Sequence, residues 1–189
     1  YKVDAQWNAK WKLWNMSTDV GTASTYQTNY NYPGTKQPAF VPNFAALTMG
    51  GYFLHRAQFD RLQCAIGMRY DFRVMSVNGY TSLSNYTYYD DFKLYSNFTS
   101  SFATHYTIND HWDVRANIGW SWRPPDINEL YAIGLQDGSY WVVGNSKLES
   151  ERGYKSVLGG RYRDTWFSIE PSLFYQRINS YIYDHIGTG

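Results

Sequence analysis

The chain has 189 residues and a net charge of +1, with aromatic residues at 20% and charged residues at only 17%. That balance supplies no basic face to displace counterions, so nucleic-acid partners are excluded. No run of about 18 apolar residues occurs, which excludes a transmembrane helix but not a membrane, because barrel strands alternate lipid-facing and lumen-facing residues and average out polar.

The first predicted element is a strand over 2–16. Val3, Ala5, Trp7, Trp11 and Leu13 point one way, and Lys2, Asp4, Gln6, Asn8, Lys10 and Lys12 the other. A long loop is expected over 17–43. A strand over 44–56 follows, with two nearly equally apolar faces. Next comes 60–72, where Leu62, Cys64, Ile66, Met68, Tyr70 and Phe72 oppose Arg61, Gln63, Ala65, Gly67, Arg69 and Asp71. A long loop over 73–91 leads to a strand over 92–108. The clearest alternation is 111–123, with Trp112, Val114, Ala116, Ile118, Trp120 and Trp122 on one face. A third long loop covers 124–153, and strands over 154–163 and 166–182 close the chain. Cys64 is the only cysteine, so no internal disulfide forms. Both termini read as lying in or just past a strand, so the chain is expected to be part of something longer.

Seven strands joined by alternating long and short connections form an antiparallel meander with long loops at one end. That is the pattern of a transmembrane β-barrel. Even residues are apolar on both 92–108 and 111–123, which predicts a three-residue turn at Ile108-Asn109-Asp110. The apolar face switches from even to odd across the last hairpin, which predicts a two-residue turn at Asp164-Thr165. Pro171 lacks a ladder donor and implies a bulge or a locally unpaired position. Trp112 and Trp166 lie beside short turns, and Trp122, Phe72 and Tyr181 beside long loops, as two interfacial girdles would. Small inward residues (Gly67, Ser101, Gly119) leave room for a domain inside the barrel. An odd strand count cannot be a complete bacterial barrel, and about a third of a 22-stranded, plugged one fits.

Two motifs flank the third loop. The first is Trp122, Arg123, Pro124, Pro125, Asn128, Glu129, Leu130 and Tyr131. The second is Gly144, Asn145, Ser146, Lys147, Leu148, Glu149, Ser150 and Glu151. Pro124-Pro125 stops the ladder and stiffens the loop exit, and Arg123 points inward by parity, toward a lumenal carboxylate. Glu129 is a candidate tie for the loop. The favoured reading of these residues is that they shape the loop and touch no ligand. Between the motifs, Gln136, Asp137, Tyr140 and Trp141 are candidate ligand contacts, the two aromatics suited either to stacking on a flat ligand or to covering a small core of the loop itself.

Together with PAFVPNF at 38–44, FDRLQCAIGMRYDF at 59–72 and FYQRINSYIY at 174–183, these motifs resemble the β-barrel of a TonB-dependent outer-membrane receptor. Both prolines usual in the second motif are serine here, at Ser146 and Ser150. The resemblance implies a location in the outer membrane of a Gram-negative bacterium and a plug domain not contained in this chain. It also implies energy drawn from a TonB complex and a scarce nutrient as ligand, with a ferric siderophore the leading expectation. A haem or other metal-complex receptor of the same family is an alternative. Sequence 112–184 holds no histidine, which lowers haem, zinc and copper through this segment.

No cofactor or metal site is expected. His105 and His111 both face inward by parity but lack a third ligand. Neither a nucleophile–base–acid set nor a Gly-rich phosphate loop stands out, so an enzyme is not expected. Two further alternatives remain: a small outer-membrane pore or enzyme, and a soluble carbohydrate-binding β-domain using the many Trp and Tyr.

Overall fold

The computed structural model describes residues 2–13, 15–32, 39–81, 87–136 and 140–185; for Asn8, Tyr80, Thr81, Thr87 and Gln136 only the backbone is considered. The wall strands are β1 (Lys2–Leu13), β2 (Met16–Asn29), β3 (Asn43–Phe59), β4 (Leu62–Thr81), β5 (Thr87–Thr107) and β6 (Trp112–Arg123). A short helix α1 (Ile127–Tyr131) and a separate hairpin, β7 (Ile133–Gln136) and β8 (Tyr140–Val143), interrupt the wall. It resumes with β9 (Glu151–Arg163), β10 (Ser168–Ile169) and β11 (Ser172–Asn179). Strands pair antiparallel in chain order from β1 to β6, then β9, which carries both β10 and β11. The expected antiparallel meander is therefore present, as a sheet with β1 at one edge.

Three expectations about its connections are corrected. Residues 17–29 form β2 rather than loop, and β1 stops at Leu13. The sequence hid β2 because Thr and Ser on both faces dilute Met16, Val20 and Tyr26, which share one face, so the apolar alternation is weak, although Thr favours strands. Adding β2 reverses the direction assigned to β1, whose last residue, Leu13, pairs with Met16 of β2. The loop expected at 73–91 is mostly strand, because β4 runs on to Thr81 and β5 starts at Thr87. Met75 and Val77 lie on the otherwise polar face and are fully buried, so the alternation is lost where another element covers that face. Phe72 therefore sits within β4, opposite Met49 and Ser96, and not beside a loop. Finally, the 124–153 loop contains α1 and the β7–β8 hairpin, and β9 begins at Glu151 rather than 154.

Turn parities were read correctly, but both turns lie one residue later than expected. Ile108 donates its N–H to Trp112 O, so the three-residue turn is 109–111. Asp164 donates to Phe167 O, which leaves Thr165-Trp166 as the two-residue turn. The ladder is interrupted at 170–171, between β10 and β11, where Pro171 has no N–H to give although its carbonyl still accepts from Gly160 N at 3.0 Å. The register of β10 and β11 on β9 is the same, Ser168 opposing Arg163 and Ser172 opposing Gly159, so no bulge occurs.

One face carries exposed large apolar residues, among them Trp7, Phe53, Met68, Phe102, Trp120 and Leu173. At the short-turn end Trp112 packs on Tyr162 at 4.8 Å, and Tyr162 on Phe167 at 5.4 Å. Higher on the same face, Trp120 packs on Tyr154 at 5.4 Å. Trp112 and Trp120 are separated by about 26 Å of strand, or about 20 Å of height at the usual tilt. These clusters bracket an apolar band of membrane dimensions.

The opposite face carries ion pairs between or along strands: Arg56–Asp19 at 2.8 Å, Arg69–Asp71 at 2.6 Å, and Arg161–Asp113 at 2.6 Å. A hollow of about 560 Å³ opens on it near the short turns, with Ala65 and Ala103 among its lining. At 20 and 21 residues, β4 and β5 are roughly twice the length of about ten residues that crosses a bilayer, so about half of each projects past the band at the loop end.

Candidate functional site at the loop mouth

The third loop folds back over the polar face of the tall strands. Pro124-Pro125 ends β6 at Arg123, and Asp126 caps α1 in extended conformation. The Asp126 side chain accepts from the Glu129 backbone N–H, and Glu129 Oε2 accepts from Asp126 N at 2.7 Å, forming a capping box; Asp126 Oδ1 also accepts from Ile127 N at 2.7 Å. The box explains how five residues hold a helix that is too short to be stable by itself. Ile127, Leu130 and Tyr131 then bury against Ala46 of β3 and Met75 and Val77 of β4, with Phe44, Tyr89 and Leu148 packed around them.

Arg123 gathers the motif carboxylates. Its Nη1 donates to both oxygens of Glu129 at 2.9 Å, and its Nε to Glu151 Oε2 at 2.9 Å. Glu151 opposes Arg123 in the β6–β9 ladder and also accepts from Ile182 N at 2.6 Å. The Arg123 hydrogen bond holds the Glu151 carboxyl below the ordinary range despite opposing burial, and Glu151 and Glu129 in turn raise the Arg123 guanidinium. Exit and re-entry of the loop are thus tied to one cation.

The second motif closes the other side. Gly144 N donates to Ala132 O at 2.7 Å, and Asn145 N to Glu129 O at 2.8 Å. A Cβ on Gly144 would lie 2.6 Å from the Leu130 carbonyl carbon and the Tyr131 nitrogen. Asn145 Oδ1 caps the following turn by accepting from Lys147 N at 3.0 Å. Asn128 is exposed, and its carbonyl accepts from Ala132 N at 3.1 Å. The motif residues are therefore brought together, chiefly with one another.

The candidate ligand contacts lie apart from this latch. Tyr140 and Trp141 are 48% and 51% exposed on β8, Trp141 opposite Leu135 and Tyr140 opposite Gln136. Leu135 and Val143 are exposed beside them. The hairpin is anchored at its base, where Ile133 N donates to Phe40 O at 3.0 Å and Gly134 (φ 152°) lies against the Phe40 ring. Asp137 lies outside the described residues, as does the side chain of Gln136.

The two histidines are not brought together. His105 Nε2 lies 3.2 Å from Asp113 on the polar face, whereas His111, a turn residue beyond the strict alternation, stacks on Tyr162. Sequence reading missed Asp126, Asp91, Arg73 and Tyr95. The Asp-x-x-Glu spacing at 126–129 was the signal for the cap. The others fell in what read as loop or in the strand just past it.

A family model described as "TonB dependent receptor-like, beta-barrel" matches residues 1–188. No curated protein sequence matches. Among solved structures, the chain is similar to the copper transporter OprC, with TM-score 0.73 and 14% identity over 94% of this chain and 29% of that one. It is also similar to the Serratia marcescens hemophore receptor HasR, solved with its hemophore HasA and heme, with TM-score 0.72 and 16% identity over 96% of this chain and 33% of that one. The FrpB iron transporter from Neisseria meningitidis gives TM-score 0.66 and 17% identity over 94% of this chain and 28% of that one. At such identities the likeness carries the fold alone, and the chain spans about a third or less of each of these structures. With the family model matched over all but its final residue, this chain belongs to the TonB-dependent receptor-like β-barrel family.

Proposed function

We propose that this chain forms part of the wall and mouth of a Gram-negative outer-membrane receptor that imports a scarce nutrient, a ferric siderophore, using energy from a TonB complex. The observation that carries the reading is the pairing of a band-sized apolar face with a polar inner face whose mouth is covered by a latched loop. Small inward residues, with Gly67 opposing Ser101 and Gly119 opposing the same serine, leave space for a plug domain supplied by the rest of the protein. Exposed Tyr140 and Trp141 can stack on the flat groups of either ligand, and a siderophore is favoured over haem because the sequence from 112 to 184 offers no imidazole. The test is uptake of radiolabelled iron by cells with and without the intact gene, supplied as a siderophore panel or as haem. Gene-dependent and TonB-dependent uptake of a siderophore is the expected result. Uptake of haem alone would reject the siderophore, and uptake independent of TonB would reject the receptor.

A further inference from the structure

Arg73 and Tyr95 oppose each other across β4 and β5 on the polar face, beneath the level of Met75. The Arg73 side chain is only 12% exposed. Its Nε and Nη2, and the Tyr95 hydroxyl, are buried without a hydrogen-bond partner among the described residues. The carboxylates nearby do not satisfy them. Asp126 Oδ1 stands 3.8 Å from Arg73 Nη2, beyond hydrogen-bond reach. Asp71 is engaged by Arg69 through both of its oxygens, and Asp91 by Tyr131 and Lys93.

A guanidinium removed from water without an acceptor is costly. The open Nε–Nη2 edge is the side of the fork that holds both oxygens of one carboxylate. Tyr95 adds a hydroxyl alongside, and burial keeps its proton on by raising it above the ordinary range. One positive charge matches one carboxylate. A phosphate dianion would leave excess negative charge buried near Asp126 and Asp91.

We propose that Arg73 and Tyr95 form an oxyanion subsite on the inner wall, capped by α1, that takes a carboxylate. The guanidinium edge holds its two oxygens, and the tyrosine hydroxyl donates to one of them. The carboxylate comes either from a small molecule or from an acidic side chain of polypeptide lying inside the barrel. The proposal does not depend on which nutrient is carried.

The test uses the native full-length protein in detergent, with acetate as probe and chloride at equal ionic strength as reference. It compares wild type with Tyr95→Phe and Arg73→Lys, reading thermal midpoint and hydrogen exchange. A saturable acetate-dependent rise in midpoint, with apparent affinity about tenfold weaker in Tyr95→Phe, identifies a small-molecule carboxylate. No acetate response, with faster exchange in the chain inside the barrel for both variants, identifies a protein carboxylate. If acetate has no effect and Tyr95→Phe leaves exchange unchanged or raises the midpoint, the hydroxyl was merely unsatisfied and the proposal is overturned.

Discussion

Tyr131 at the end of α1 donates its hydroxyl hydrogen bond to Asp91 of β5, forty residues away in sequence. The ring is fully buried and meets Tyr89 edge-on at 5.0 Å. This hydrogen bond adds a polar tie to the apolar packing that fastens the loop helix to the tall hairpin. Removing the hydroxyl in Tyr131→Phe keeps the packing but leaves a carboxylate short of a donor, at a cost of about 2 kcal/mol. Burial first, then the Asp91 bond, raises the Tyr131 phenol above its usual value near 10. A proton held more tightly in the folded state contributes stability that is complete below about pH 10 and is lost as pH rises further. Urea unfolding from pH 8 to 11 should therefore show an alkaline loss in wild type that is smaller in Tyr131→Phe. Equal alkaline slopes would remove Tyr131 as its source.

Gly144 is the closest approach between the two motifs. A Cβ there meets backbone rather than a flexible side-chain end, at 2.6 Å from Leu130 and Tyr131. Gly144→Ala must push β8's exit away from α1, breaking the Gly144–Ala132 and Asn145–Glu129 hydrogen bonds. The expected loss is about 1–3 kcal/mol, with proteolysis appearing inside 124–150. Unchanged stability and protease resistance would mean the loop yields without cost.

Arg123 bonded to Glu129 and Glu151 makes the latch sensitive to acid. The Arg123 side chain is 44% exposed, so solvent screens the pairs, and each is worth about 0.5–1 kcal/mol. Glu151 is held below its ordinary range by Arg123, so its contribution is present above the usual carboxylate range and lost as pH falls through the depressed value. A double-mutant cycle with Arg123→Met and Glu151→Gln should give positive coupling at pH 7 that weakens as pH falls below the ordinary carboxylate range. Coupling independent of pH would point to packing instead of charge.

The legible part of this fold was wherever one face met lipid and the other water. β6 shows it best, because Trp112 through Trp122 alternate without a break. β2 was not legible because Thr and Ser dilute the apolar mark that Met16, Val20 and Tyr26 give one face. The upper half of β4 was not legible because α1 covers Met75 and Val77, turning a polar face apolar. Covering by a distant segment is a tertiary effect that strand periodicity does not encode. The latch residues were found as motifs, but their partners were not. Asp91 and Arg73 lay in what read as loop, and the strand register alone brings them beneath α1.

The β7–β8 hairpin allows the proposed ligand contact to be tested apart from stability. Tyr140 and Trp141 are about half exposed, whereas the anchoring contacts run through Ile133, Gly134 and Phe40 at its base. Replacing both aromatics with alanine removes exposed surface and no core contact, so the unfolding midpoint should shift by less than about 0.5 kcal/mol. If the hairpin contacts the imported ligand, the same change should weaken uptake affinity about tenfold or more, since rigid aromatics dominate recognition surfaces. Transport measured against ligand concentration would show a raised half-saturation with an unchanged maximal rate. Unaltered half-saturation would place the ligand elsewhere at the mouth and leave the hairpin's apolar face without a part in capture.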